Sequence, residues 1–396
     1  MDITQLLAFV LHNDASDLHL SADNPPIIRT KGSLKRVKAD ALKSDDIRSM
    51  LYSVMTDEQR AEYEKELELD FAISFGDTSR FRVNAFNNRQ GAAAVFRTIP
   101  SKIPSMDEID LPMVMRRFTE LEKGIVLVVG PTGSGKSTTL AAMVNNINEN
   151  MSKHILTIED PVEFFHTSKK SLINHREVGN DTFSFKKALR SALREDPDVI
   201  MVGEMRDYET ISLALTAAET GHLVFATLHS NSAAKTINRI IDVFPSGDKE
   251  MVKAMLSTSL QGVVAQTLLK RADGSGRVAA FEILVGTNAV RNLIRENKIS
   301  QLYSMMQTGY RYGMKTMEDS VNELLESEII SKSEARRAVL LVSDENQDTD
   351  DNDSEKGKAP QPRKIPRTSK AYSPSGHLNK SNEGNSNSGN EEGYSF

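Results

Sequence analysis

The chain has 396 residues, a formal net charge of -6 and a pI near 5.9, which is length enough for two or more domains, each with its own core. The acidic balance gives no global pull toward nucleic acid or an anionic bilayer, and the absence of cysteine excludes disulfides, thiolate zinc sites and cysteine nucleophiles. The start, MDITQLLAFVLHNDASDLHL, lacks the basic segment and cleavage site of a secretory signal, and no run approaches the roughly 18 apolar residues of a membrane span, so a cytoplasmic chain is expected.

Residues 1–100 mix helical and strand-like patterns: an apolar helical opening, ASDLHL, a Pro25-Pro26 turn, IIRTKGSLKRV, one helical stretch DDIRSMLYSVMTDEQRAEYEKEL, then FAISF and RFRVNAF. Helices set against short alternating strands predict a small α+β domain. TIPSKIPSMDEIDLP follows with three prolines, so residues 101–112 read as an interdomain linker and hinge.

Residues 113–342 change character. GIVLVVG, HILTIED, DVIMVGE and HLVFATLH are compact apolar runs separated by helix-length segments, the pattern of a parallel sheet in an α/β domain. RVAAFEILVG adds strands, and AVRNLIRENKI, VNELLES and SEARRAVLLV read as terminal helices. Residues 343–396 combine an acidic run, a basic proline-containing patch and a Ser/Asn/Gly-rich end. With almost nothing to bury they are expected to be disordered, either as a solvated tail or as a tether.

Directly after GIVLVVG stand Gly130, Pro131, Thr132, Gly133, Ser134, Gly135, Lys136 and Ser137, followed by Thr138. This is a complete G-x-x-x-x-G-K-[ST]. Leu140, Met143, Val144 and Ile147 then share one helical face, so the context is strand, loop, helix. Phosphates belong at such a helix N-terminus, where unpaired N–H groups and the positive dipole end meet. Lys136 is expected to reach the β and γ phosphates of ATP, and Ser137 to place its hydroxyl on Mg²⁺.

Ligands of an open parallel sheet bind beyond the C-terminal ends of its strands. Three of the runs deliver titratable groups there: Glu159, Asp160 and Glu163 after the second, Glu204 after the third, His229 after the fourth. Glu204, ending an apolar strand, suits the magnesium shell or the attacking water. Glu163 is a second candidate for polarising water, against a structural role. His229 is placed to sense the γ-phosphate, although a lone histidine at a strand end also serves as an ordinary terminus; His222 lies at the opposite end. Arg82 and Arg97, on strands of the small domain, either face solvent or neutralise the triphosphate. Arg190, Arg194 and Arg206 are candidates for action across a subunit boundary.

LREDPDVIMVGEMRD, Leu193 to Asp207, resembles the signature of the secretion and pilus ATPase superfamily. GPTGSGKST, ILTIEDPVEF and TGHLVFATLHS are similar to that family's Walker A, Asp and His boxes, with the signature as Walker B. ASDLHL and AVRNLIRE, Ala289 to Glu296, point to its pilus-retraction branch. The resemblance implies a RecA-like P-loop NTPase core, a PAS-like N-terminal domain and a homohexamer holding nucleotide between the two domains. It further implies Glu204 and Glu163 as catalytic acids and a role for the AVRNLIRE helix beyond hydrolysis, although Val290, Leu293 and Ile294 also make an ordinary core stripe.

Expected partners are an inner-membrane platform protein of the type IV pilus machine, at the inner face of the membrane at the pilus base, and a PilU-like paralogue. Neither nucleic acid nor direct membrane insertion is expected. Val290 where the family pattern has Ile is a mild swap; residues after Val342 have no place in that pattern. Extension and secretion ATPases are disfavoured by the missing tetracysteine module. A PilU-like accessory role, a nucleic-acid translocase, which would need a basic channel, and a nucleotide-switched scaffold are the alternatives.

Overall fold

The computed structural model describes residues 2–30, 32–76, 79–99 and 102–338. Helix α1 (Ile3–His12) starts on a capping box between Asp2 and Gln5, which satisfies two otherwise orphaned donors. Strands β1 (Asp17–Ser21), β2 (Ile27–Thr30) and β3 (Ser33–Arg36) follow, then α2 (Ser44–Tyr52), α3 (Asp57–Glu66), β4 (Glu68–Phe75), β5 (Ser79–Asn88) and β6 (Gly91–Ile99). The six strands form one antiparallel sheet in the order β3-β2-β1-β6-β5-β4.

Strand alternation gives this sheet its two faces. Phe81, Val83 and Ala85 of β5 are fully buried with Phe96 and with Leu6, Leu7, Val10, Ile47 and Leu51 of the covering helices. The residues between them, Arg80, Arg82 and Asn84, fall on the other face. The stretch expected as one helix is two. Thr56 caps α3 with its hydroxyl on the Gln59 N–H, and the Gln59 side chain caps the Thr56 N–H in return; that box starts a new helix where hydrophobic patterning alone runs on.

The stretch read as a linker is anchored in its second half. Ser105 and Glu108 bond reciprocally, and Met106 is buried, with Ile109 and Leu111 packed against the cluster that it joins.

The second sheet is built from α4 (Met113–Thr119), β7 (Gly124–Val129), α5 (Lys136–Asn150), β8 (His154–Glu159), β9 (Leu172–Glu177), α6 (Phe185–Ala192), β10 (Val199–Val202), α7 (Tyr208–Glu219), β11 (Leu223–Leu228), α8 (Ala233–Asp242), α9 (Lys249–Ser259), β12 (Leu260–Lys270) and β13 (Arg277–Val285). Its order is β13-β12-β7-β11-β10-β8-β9, parallel except for the antiparallel β13. Every residue of β7, β10 and β11 is buried, as expected of parallel strands covered by helices on both faces.

Val126 and Val128 pack with α4 and α5, whereas Ile125, Leu127 and Val129 pack with α6 to α9. After β13 come α10 (Asn288–Arg295), α11 (Leu302–Thr308) and α12 (Met317–Glu326), with residues 332–338 helical. Val290 and Ile294 are fully buried and Leu293 packs against the same core. Two strands escape the apolar reading, β9 and β12. Among the described residues no helix is long and apolar enough to cross a membrane. The disorder expected for 343–396 concerns residues outside those described.

Candidate active site

The loop between β7 and α5 is shaped by close backbone approach. A side chain at Gly130 would meet the Gln266 carbonyl oxygen at 2.3 Å and Ser134 Oγ at 2.6 Å, and Gly135, at φ 89°, would meet Gln266 Nε2 at 2.9 Å. Gln266, on β12, braces the loop: its Nε2 donates to Ser134 O at 2.8 Å and its Oε1 accepts from Thr139 Oγ1 at 2.8 Å. Gly135 sits at the N-cap of α5 in the left-handed region, so the first N–H groups of α5 remain for an anion. Ser134 Oγ is buried without a partner among the described residues. A cradle that any Cβ would fill, lined by unspent donors, fits a phosphate chain.

Lys136 is buried, and its Nζ donates to Gly130 O at 2.8 Å and Pro131 O at 3.1 Å. Burial pulls its pKa below the usual lysine range, against the opposing charges of Glu204 and Glu163. Glu204 leaves the end of β10 with both oxygens engaged: Arg206 Nη2 donates to Oε2 at 2.7 Å, and His229 Nε2 lies 3.1 Å from Oε1. Burial would raise the Glu204 carboxyl, but the Arg206 hydrogen bond and the charges of Arg206, His229 and Lys136 outweigh it and hold the pKa below the usual carboxylate range. It therefore stays ionised at neutral pH, as a proton acceptor or metal ligand must.

Glu163 is exposed and takes part in no ion pair among the described residues. Beside it Glu159, buried, is pushed up to about 7 by burial, with the charges of Glu163 and Glu177 adding and hydrogen bonds from the Glu163 N–H and Thr157 opposing.

These groups share one cavity of about 560 Å³, of a size that suits a nucleotide. Thr132, Gly133, Gly135, Lys136, Ser137 and Thr138 line it, as do Glu163, Glu204, His229, Arg82 and Arg97. Of the residues singled out for nucleotide, Gly130, Pro131 and Ser134 are not in this lining; the first two instead hold Lys136 Nζ through their carbonyls.

The arginines arrive from one row across four adjacent strands of the small sheet: Arg29 on β2 faces Asp17 on β1, Asp17 faces Arg97 on β6, and Arg97 faces Arg82 on β5. Asp17, buried, bonds Arg97 Nε at 2.9 Å and lies 3.7 Å from Arg29 Nε. The ASDLHL segment thus holds an arginine of the cavity. Arg82 lies 3.6 Å from Asp70.

Among the arginines considered for action between subunits, Arg206 pairs within its own chain with Glu204. Arg190 and Arg194 are exposed and lie outside the cavity lining. His222, at the far end of β11, is tied to Ala217 O at 2.9 Å. Arg277 and Gln266 were not anticipated; Glu159 was expected at this edge from its place at a strand end, but with no role assigned.

The family model described as type II/IV secretion system protein matches residues 1–343. The type IV pilus retraction ATPase PilT of Pseudomonas aeruginosa is 57% identical over 341 residues, 86% of this chain and 99% of that protein. A twitching motility protein of Neisseria gonorrhoeae is 58% identical over 312 residues, 79% of this chain and 83% of that protein. The crystal structure of the pilus retraction motor PilT with bound ADP superposes with a TM-score of 0.80 at 46% identity, covering 85% of this chain and 97% of the other. Likeness of this extent, joined to a phosphate cradle at the carboxyl edge of a parallel sheet, settles the kinship: the chain belongs to the type II/IV secretion system protein family.

Proposed function

We propose that this chain is a motor ATPase that hydrolyses ATP to power type IV pilus retraction and twitching motility. One observation carries the reading: a phosphate cradle, two strand-end acids and two arginines of a second sheet line a single cavity. Hydrolysis alone needs only the cradle and an acid; arginines from a separate sheet make the cavity responsive to how that sheet is placed.

In this reading the amides at the start of α5 and Lys136 bind the triphosphate, Glu204 and Glu163 orient water and accept its proton, and His229 couples to Glu204. Arg82 and Arg97 add positive charge at the phosphates. Ser137 and Glu204, hard oxygen donors on one cavity, fit Mg²⁺, which when bound supplies neutralising charge to the phosphate oxygens. We assign residues 1–100 to a small domain, 101–112 to a linker and 113–342 to the ATPase domain.

The working form is a homohexamer acting on an inner-membrane platform protein of the pilus machine, with a PilU-like paralogue as a second partner. α10 fits a role beyond hydrolysis. Arg291 bonds Gly286 O at 2.8 Å, Ser257 O and Thr258 O, and Gln261 Oε1 at 3.1 Å, which fixes the helix, while Asn292, Arg295 and Glu296 stay exposed.

The test is deletion of the gene and complementation with Lys136→Ala. Excess surface pili without twitching is the expected phenotype; normal twitching removes the reading.

A further inference from the structure

Arg80 lies on β5 two residues from Arg82, so both leave the same face of the small sheet. Arg82 lines the nucleotide cavity. Arg80 instead lands on the loop that carries Glu163. Its Nη1 donates to Val162 O at 3.4 Å, its Nη2 lies 3.6 Å from Glu177 Oε2, and its guanidinium carbon stands 4.3 Å over the Phe165 ring. A planar, delocalised cation suits this combination of stacking and forked donation; an ammonium does not.

The loop is held from below as well. Val162 N–H donates to the same Glu177 Oε2 at 2.9 Å, and Glu163 N–H donates to Glu159 Oε2 at 3.3 Å. Three consecutive backbone groups, Val162 N–H, Val162 C=O and Glu163 N–H, are therefore bound by three side chains, those of Glu177, Arg80 and Glu159. The C=O and the Glu163 N–H belong to one peptide unit, whose plane sets where the Glu163 side chain starts. Glu177 and Glu159 lie on strands of the core. Arg80 is the clamp supplied by the other sheet.

We propose that Arg80 is a positioning residue for ATP hydrolysis: by holding the Val162 carbonyl it orients the peptide that bears Glu163, and so makes turnover depend on the placement of the small sheet. The proposal rests on the reading of Glu163 as a catalytic acid. It separates two jobs on one strand, since Arg82 faces the nucleotide and Arg80 faces the acid. A displaced acid slows the chemical step and leaves ground-state binding largely intact.

The test is steady-state ATP hydrolysis by the full-length chain, with kcat normalised to ADP-binding sites titrated in the same preparation, for the parent, Arg80→Ala, Arg80→Lys and Phe165→Leu. Arg80→Ala should lower kcat per site by about tenfold with KM for ATP within about twofold. Arg80→Lys should not restore it, and Phe165→Leu should fall between. In an Arg80→Ala, Glu163→Gln double variant, activity should be no lower than with Glu163→Gln alone, because both changes act through one group.

A kcat within about twofold of the parent for Arg80→Ala, full recovery with lysine, or additive losses in the double variant overturns the proposal. Should Arg80→Ala not fold, Phe165→Leu, whose ring is half exposed, decides alone: reduced kcat per site supports the assignment and unchanged kcat ends it. A parent that hydrolyses no ATP defeats the proposed function itself, which an insensitive Arg80 in an active parent does not.

Discussion

The parallel sheet and the small antiparallel sheet supply charge to the same cavity by different physics. Lys136 is 9% exposed and hangs from a loop braced by fully buried strands. The side chain of Arg97 is 67% exposed and is steadied by one carboxylate, that of Asp17. The core thus presents a prepaid geometry whose interactions run in a low dielectric, where they are strong. The small sheet presents long cations that solvent and salt screen. On the proposed function, grip on the phosphates belongs to the first region, and sensitivity to the arrangement of the two regions belongs to the second.

That division is breakable. Glu204→Gln should lower kcat by on the order of a hundredfold to a thousandfold, with fluorescent-ADP binding retained; steady turnover in this variant would move the chemistry away from the core and favour a nucleotide-switched scaffold. Arg97→Ala should lower kcat/KM by about tenfold, as befits one charged hydrogen bond, and the loss should shrink in high salt, read by phosphate release across a salt series. Asp17→Asn sharpens the contrast. If Arg97 needs its tether only to save side-chain entropy, the loss is a few-fold; a loss as large as that of Arg97→Ala means the small sheet is as preorganised as the core.

A last prediction concerns stability and not turnover. Glu159 is pushed up to about 7 from an ordinary 4.5, so between those values the folded chain holds a proton that the unfolded chain releases. That contribution is complete below pH 4.5 and is lost as pH rises toward 7. His166, pushed down to about 3 by burial with His175 and Lys169 adding, works in the opposite sense and is common to both proteins in the comparison. Relative to the parent, Glu159→Gln should gain up to about 3 kcal/mol as pH goes from 4.5 to 7, measured as the difference in Tm.

The legible parts of the chain were those where one physical demand dominates. A phosphate cradle needs glycine where backbone meets backbone, and buried parallel strands need unbroken apolar runs, so Gly130 to Ser137 and four strands stood out. β12 did not, because Gln266 interrupts its apolar run and α9 passes into it at Ser259–Leu260 with no turn residue between. β9 alternates buried and exposed positions at the sheet edge, too short a pattern to outweigh its polar residues. The break at Thr56 was a capping signal hidden in a continuous helical pattern. Pairings such as His229 with Glu204, or Asp17 with Arg97, join strand ends and register partners that only the fold brings together.

The row Arg29, Asp17, Arg97, Arg82 leaves two guanidinium groups opposite one another, an arrangement that costs a sheet a few tenths of a kcal/mol to about 1 kcal/mol. Asp17 lies against Arg29 and Arg97, and Asp70 against Arg82, so two carboxylates face three cations and one positive charge is left over. On the proposed function, the small sheet therefore folds with residual repulsion across that row, relieved when a polyanion comes to rest beside it, and loss of that anion returns the repulsion to the sheet.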